Sequence, residues 1–224
     1  MASIGMYGVF YSKCVKSGGV VTGYDGSVKM MGKAVSANFE VNTPQDNPLY
    51  ANNSVAENDV SSGSGGTLTN VLDRMSLDTA SNLYGTTVSD VTATVGGKTY
   101  NGQEIAFKGL ETSTPVGVAY IRMHQEDGVR IYEVVFYREV VYTRPSEEAQ
   151  TMGRTIEWKT PSITGTVSGM QGDGSEPWYR TSRWETQEAA IAYIFNLFGA
   201  EATKEALEAA AAFISDLEGD DATV

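Results

Sequence analysis

Val129 to Tyr142 reads VRIYEVVFYREVVY, a run dense in Val, Tyr and Phe and the strongest strand signal in the chain. Side chains of this kind suit a pleated, half-buried surface. Glu126-Asp127-Gly128 supplies a turn before it, and Val116 to Met123 reads as the strand that leads into that turn. The signature repeats outward. Tyr7 to Val15, Val28 to Met31, Thr67 to Met75, Ile105 to Leu110, Thr155 to Lys159 and Ser162 to Val167 all read as strands. Val91 to Val95 and Lys98 to Tyr100 flank Gly96-Gly97, a two-residue hairpin signal. Lys33 to Val41 alternates, with Val35, Ala37, Phe39 and Val41 on a face expected to be buried and Ala34, Ser36, Asn38 and Glu40 on the other. About nine or ten strands predict a mainly β fold.

Helical signals are few. Ser76 reads as an N-cap, Leu77, Ala80, Leu83 and Tyr84 fall at helical spacing, and Gly85 suits the C′ position. After a glycine-rich break from Gly169 to Gly174 the pattern changes. Thr186 caps an apolar stripe of Ala189, Ala190, Tyr193, Ile194 and Leu197, ended by Gly199. An alanine-rich helix is expected from Thr203 to Leu217, followed by a short acidic tail at Gly219-Asp220-Asp221. The chain divides into a β region, 1–170, and a segment 171–224 made of linker, helical hairpin and tail.

The chain has 224 residues with 28 acidic and 16 basic side chains, a net charge of -12. That balance argues against stable binding to nucleic acid or anionic membranes, which needs clustered Lys and Arg. Met1 to Gly5 has neither a basic nor an apolar leader region, and no apolar run reaches membrane-spanning length, so synthesis in the cytoplasm is expected. Asn52-Asn53-Ser54 matches a glycosylation acceptor by chance.

Catalytic raw material is sparse. His124 is the single histidine and Cys14 the single cysteine, so no His/Cys metal site and no internal disulfide can form. His124 reads as a surface or hydrogen-bonded structural residue, and Cys14 as a small buried side chain. Glu133, Glu139 and Glu157 lie on expected strands, where a close pair would suit glycoside hydrolysis, but their scatter reads as a solvated face. Glu147-Glu148 reads as an exposed turn. Neither catalytic residues nor a cofactor are expected. The glycine run from Ser61 to Gly66 lacks the Lys-Ser or Lys-Thr of a phosphate loop. Trp178, Tyr179 and Trp184, with Arg180 and Arg183, form an aromatic-basic cluster. It reads as a hinge that packs the helical hairpin on the β domain, with a carbohydrate-binding module as the alternative.

Between Asn42 and Gly66 the strand pattern stops. Pro44, Pro48, asparagines and the glycine run predict a long flexible loop, and loops of that length in a compact domain usually serve a function. Exposed strand edges and a loop that folds on a neighbour are means of self-assembly.

Several stretches together resemble the major tail protein of long-tailed bacteriophages, the subunit of the tail tube. Ile4-Gly5 with Phe10-Tyr11 is similar to that family's opening strand. Ser36 to Asn42 followed by Leu49 to Asn53 is similar to its second strand and long loop. Gly66 to Thr69, Leu83-Tyr84-Gly85, Ala106 to Leu110, Val135 to Val140 and Thr160 to Thr166 continue the likeness in order, as far as about residue 170. The resemblance implies a β-sandwich or barrel-like tail tube fold with one short flanking helix, plus the C-terminal helical hairpin. It implies a virion structural protein whose hexameric rings stack into a hollow conduit for DNA ejection. Its partners would be copies of itself, the tape measure and the tail terminator, with double-stranded DNA passing through without specific binding and no membrane contact. Asn42, Leu49, Tyr50, Asn52, Asn53, Glu57 and Asp59 would make contacts between rings or subunits. Six copies would carry roughly -72, a field that repels phosphate and prevents sticking. The polar faces of residues 33–41 and 129–142 are candidates for the lumen.

Overall fold

A computed structural model describes residues 3–43, 46–51, 54–60, 64–145 and 160–215. The protein is mainly β, with antiparallel pairing throughout the described strands. In chain order the elements are β1 (Ser3–Ser17), β2 (Val20–Tyr24), β3 (Lys29–Gly32), β4 (Ala34–Val41), β5 (Asp46–Ala51), β6 (Ser54–Val60) and β7 (Gly66–Leu72). They continue with α1 (Leu77–Tyr84), β8 (Val88–Val95), β9 (Lys98–Ile105), β10 (Val116–Glu126), β11 (Val129–Tyr142), β12 (Ser162–Val167), β13 (Tyr179–Trp184), α2 (Gln187–Leu197) and α3 (Lys204–Ser215).

The main sheet runs β2-β1-β10-β11-β12-β7-β4, and β3 pairs back onto β1. Only Lys33 separates β3 from β4, so the path from β1 through β10, β11, β12, β7 and β4 returns to β1. The result is barrel-like. The corner at Lys33 is held by Asp73, whose N–H donates to the Lys33 carbonyl and whose carboxylate accepts from the Lys33 N–H, both at 2.9 Å.

Alternation along the strands sorts the core into two layers. Val9, Tyr11, Leu68, Val118, Tyr120, Val135, Tyr137, Tyr142 and Ile163 point into the barrel, where α1 adds Ala80, Leu83 and Tyr84. Tyr7, Phe10, Ala119, Ile121, Val134 and Phe136 point the other way, against Ala190, Ile191, Ile194 and Phe198 of the α2 region. Strands β10 and β11 are therefore buried on both faces, which explains their unbroken apolar runs. Tyr7 and Phe10 share a face although they are three residues apart. A bulge at Gly8, with φ 37°, inserts the extra residue that makes this possible.

Several expectations change. The Asn42 to Gly66 stretch, read as a flexible loop, contains the hairpin β5–β6. Leu49, Tyr50, Val55 and Val60 are strand formers, and both strands of a two-stranded sheet are edge strands, where proline is tolerated. In β4, Val35 and Val41 are 56% and 57% exposed. The register slips between Ala34 and Ser36, so Ala34, not Val35, packs inward with Ala37 and Phe39. The strand expected at Ile105 to Leu110 ends at Ile105. Beyond it the Glu111 carboxylate closes a turn by accepting the Gly109 N–H at 2.7 Å. Within 171–224, residues 179–184 form a strand paired to β11, and the helices cover the same sheet. Thr155 to Lys159, Glu147-Glu148 and the acidic tail lie outside the described residues.

Candidate functional site: an open threonine-rich sheet face and its projecting hairpins

Among the described residues, the outward face of β4, β7 and β12 is a broad, mostly exposed surface of the barrel. Register places its side chains in rows: Asn38 beside Thr69 beside Thr164, Glu40 beside Thr67 beside Thr166, and Ser36 beside Val71 beside Ser162. Thr69 and Thr164 share a hydrogen bond between their hydroxyls at 3.3 Å, and Asn38 Nδ2 donates to Glu40 Oε1 at 3.2 Å. Thr143 extends the surface by donating its hydroxyl to the Thr164 carbonyl at 3.0 Å. Threonine satisfies two demands here, since its branched Cβ suits a strand and its hydroxyl suits water. Glu40 is the single charge among the nine row residues, and no Lys or Arg stands among them. Thr67-Leu68-Thr69 and Thr164-Gly165-Thr166 carry this pattern in plain sequence. Of the two faces expected to be candidates, this one is open. In 129–142, Val129 and Arg130 are exposed, but from Glu133 onward the strand is largely covered, by the α2 region on one side and the barrel interior on the other.

Two hairpins leave this body. The chain enters the β5–β6 excursion at Asn42, whose N–H donates to the Gly65 carbonyl at 3.1 Å and whose Nδ2 donates to the Ser64 carbonyl at 3.3 Å. Asn42 thus closes the neck. Leu49 stands opposite Glu57, Tyr50 opposite Val55, and Asp59 opposite Asn47, so these four expected contact residues share one hairpin. Asn52 and Asn53 lie outside the described residues. The second hairpin, β8–β9, is exposed from Ser89 to Glu104.

The aromatic cluster does not form one platform. Trp178 and Tyr179 pack on Phe39 at ring-centre distances of 6.0 and 6.3 Å, and Tyr179 lies 5.4 Å from Tyr137. Trp184, at the far end of β13, packs on Tyr193 of α2 at 4.9 Å. These rings join β13 to the barrel at one end and to the helices at the other.

The carboxylates read as a solvated face are buried instead. Glu133 accepts from His124 at 2.9 Å and pairs with Arg122 at 2.9 Å. Burial acts to raise the Glu133 carboxyl, but the His124 hydrogen bond and the Arg122 charge outweigh it and hold the group below the ordinary range. Glu139 is 3% exposed and holds Lys16 and the Gln171 amide. Because β11 is covered on both faces, acids on it must be paired. Glu157 lies outside the described residues. Cys14 is half-buried, and its thiol is pushed up to about 12, first by burial and then by the Glu139 charge, so it stays protonated at neutral pH. Among the described residues no three His, Cys, Asp or Glu side chains gather within reach of one metal ion, and no helix is long and apolar enough to cross a membrane.

Comparison with protein-family models finds no match for this chain, and comparison with curated proteins finds none either.

Proposed function

We infer that the chain is a structural subunit that polymerises as stacked, six-membered rings into the tail tube of a long-tailed bacteriophage, with its β4–β7–β12 face toward the lumen. The observation that carries this reading is the composition of that face: six hydroxyls, one amide, one carboxylate and the apolar Val71, with no cation. Such a surface hydrates well and offers phosphate no cation, so DNA slides past it without being held by charge. The helical hairpin then lies on the opposite side of the wall, away from DNA. The β5–β6 hairpin, with Leu49, Tyr50, Glu57 and Asp59, reaches the next ring. Working partners are copies of the same chain, the tape measure and the tail terminator; the protein is made in the host cytoplasm and ends in the virion.

Negative-stain microscopy of the concentrated protein tests the assembly directly. Rings or tubes are expected, and a strictly monomeric protein at high concentration would count against it. Lysine at Asn38, Thr69 and Thr164 should leave tubes intact and slow DNA ejection. Unchanged ejection would remove this face from the lumen. Deleting residues 44–65 should leave a folded subunit that no longer makes long tubes.

A further inference from the structure

Three side chains from distant parts of the chain meet beside β2. Lys16 of β1, Glu139 of β11 and Gln171 of the glycine-rich turn form a line in which the carboxylate is central. Lys16 Nζ donates to Glu139 Oε1, and Gln171 Nε2 donates to Glu139 Oε2. The Gln171 carbonyl is fixed too, because its Oε1 accepts the Val21 N–H at 3.0 Å. Lys16 stands directly opposite Val21 in the β1–β2 register, which sets the amine beside that amide. The Glu139 side chain is 4% exposed and the Lys16 side chain 32%.

An amine, a primary amide and a carboxylate held between their nitrogens are the parts needed for transamidation. We propose that Lys16 and Gln171 join in an intramolecular amide cross-link, with Glu139 as the proton carrier and the Val21 N–H as the oxyanion donor. Lys16 passes a proton to Glu139, and the freed Nζ attacks Cδ of Gln171. The carbonyl electron pair moves onto Oε1, where the Val21 N–H meets it. Glu139 then gives its proton to Nε2 and takes the surplus proton from Nζ. The Cδ–Nε2 bond breaks, the carbonyl re-forms and ammonia departs. Nothing is oxidised or reduced, and no co-reactant is needed. The partly exposed Lys16 stem gives ammonia a way out. Holding the groups in place replaces the activation that an external enzyme would supply.

Mass spectrometry decides the matter. Protein purified folded and incubated to constant mass should be lighter than its sequence by one ammonia. Trypsin should yield a branched peptide in which Cys14 to Lys29, uncut after Lys16, is joined to Thr160 to Arg180. Mapping the branch separates this product from ammonia loss at Asn101-Gly102. Lys16→Arg keeps the ion pair with Glu139 and should abolish the loss, as should Glu139→Gln. Circular dichroism confirms that each variant is folded. Full sequence mass with ordinary cleavage after Lys16 would overturn the proposal and leave an ion pair. Loss of ammonia that persists in folded Lys16→Arg and maps to Gln171 would overturn it as well.

Discussion

Gly117 sits where β10 passes beneath the end of α2. A Cβ there would meet Tyr24 at 2.4 Å and Phe198 at 2.9 Å. Gly117→Ala should therefore cost about 1–3 kcal/mol, read from urea unfolding, because the buried Phe198 ring and the half-buried Tyr24 ring must move. Gly23 is the control. Its Cβ position has no neighbour within 4 Å, so Gly23→Ala should be close to neutral. Glu133 governs an acid response. Its folded carboxyl lies below the ordinary range, so the stability it adds is complete above the unfolded carboxylate range. That contribution is lost as pH falls through the folded value. Glu133→Gln should flatten the acid limb of a stability-against-pH curve between pH about 5 and 2, while other carboxylates keep part of the slope. An unchanged limb would mean that the pair with Arg122 and His124 adds nothing.

Elements differ in how much they contribute to the core. Helix α2 is held through Ile191, Ile194 and Phe198, with Phe198 5.1 Å from Tyr24 and 5.7 Å from Phe136. Phe198→Ala should cost about 3–5 kcal/mol. Truncation before α2 should expose Tyr7, Phe10 and Ile121 and produce a protein that binds hydrophobic dyes or precipitates. The β8–β9 hairpin behaves oppositely. Its residues from Ser89 to Glu104 are exposed, so replacing 90–103 by a short turn should move the melting temperature by only a few degrees. A large drop would show that the hairpin carries a structural load that its exposure does not suggest.

At the scale of the molecule, the charge of -12 sets how copies meet. Like-charged subunits repel at low ionic strength, and salt screens that repulsion over about 10 Å at 0.1 M. If the subunit polymerises as proposed, light scattering should show assembly that speeds up with added salt. Assembly that slows steadily with salt would instead point to attractive ion pairs between subunits.

Patterns confined to one or two strands were legible before the fold was known. Ser76 as the α1 cap, Gly85 as its left-handed stop, the Gly96-Gly97 hairpin and the Thr186 cap of α2 all depend on neighbours a few residues away. The open face was half legible, because alternation put Asn38 and Glu40 on one side of β4, but only pairing with β7 and β12 showed how far the surface extends. The Val35 bulge and the strand at 179–184 could not be read locally. The first is a phase slip set by the partner strand, and the second forms because β11 leaves an edge open beyond its pairing with β12. The meeting of Lys16, Glu139 and Gln171 belongs wholly to the tertiary structure. By itself the sequence determined a mainly β chain, through its strand patterns, and an acidic one poor in catalytic groups, through its composition. Which acids lie buried, and what they hold, depended on β11 being covered on both faces, since burial forces charges to find partners that chain order does not reveal.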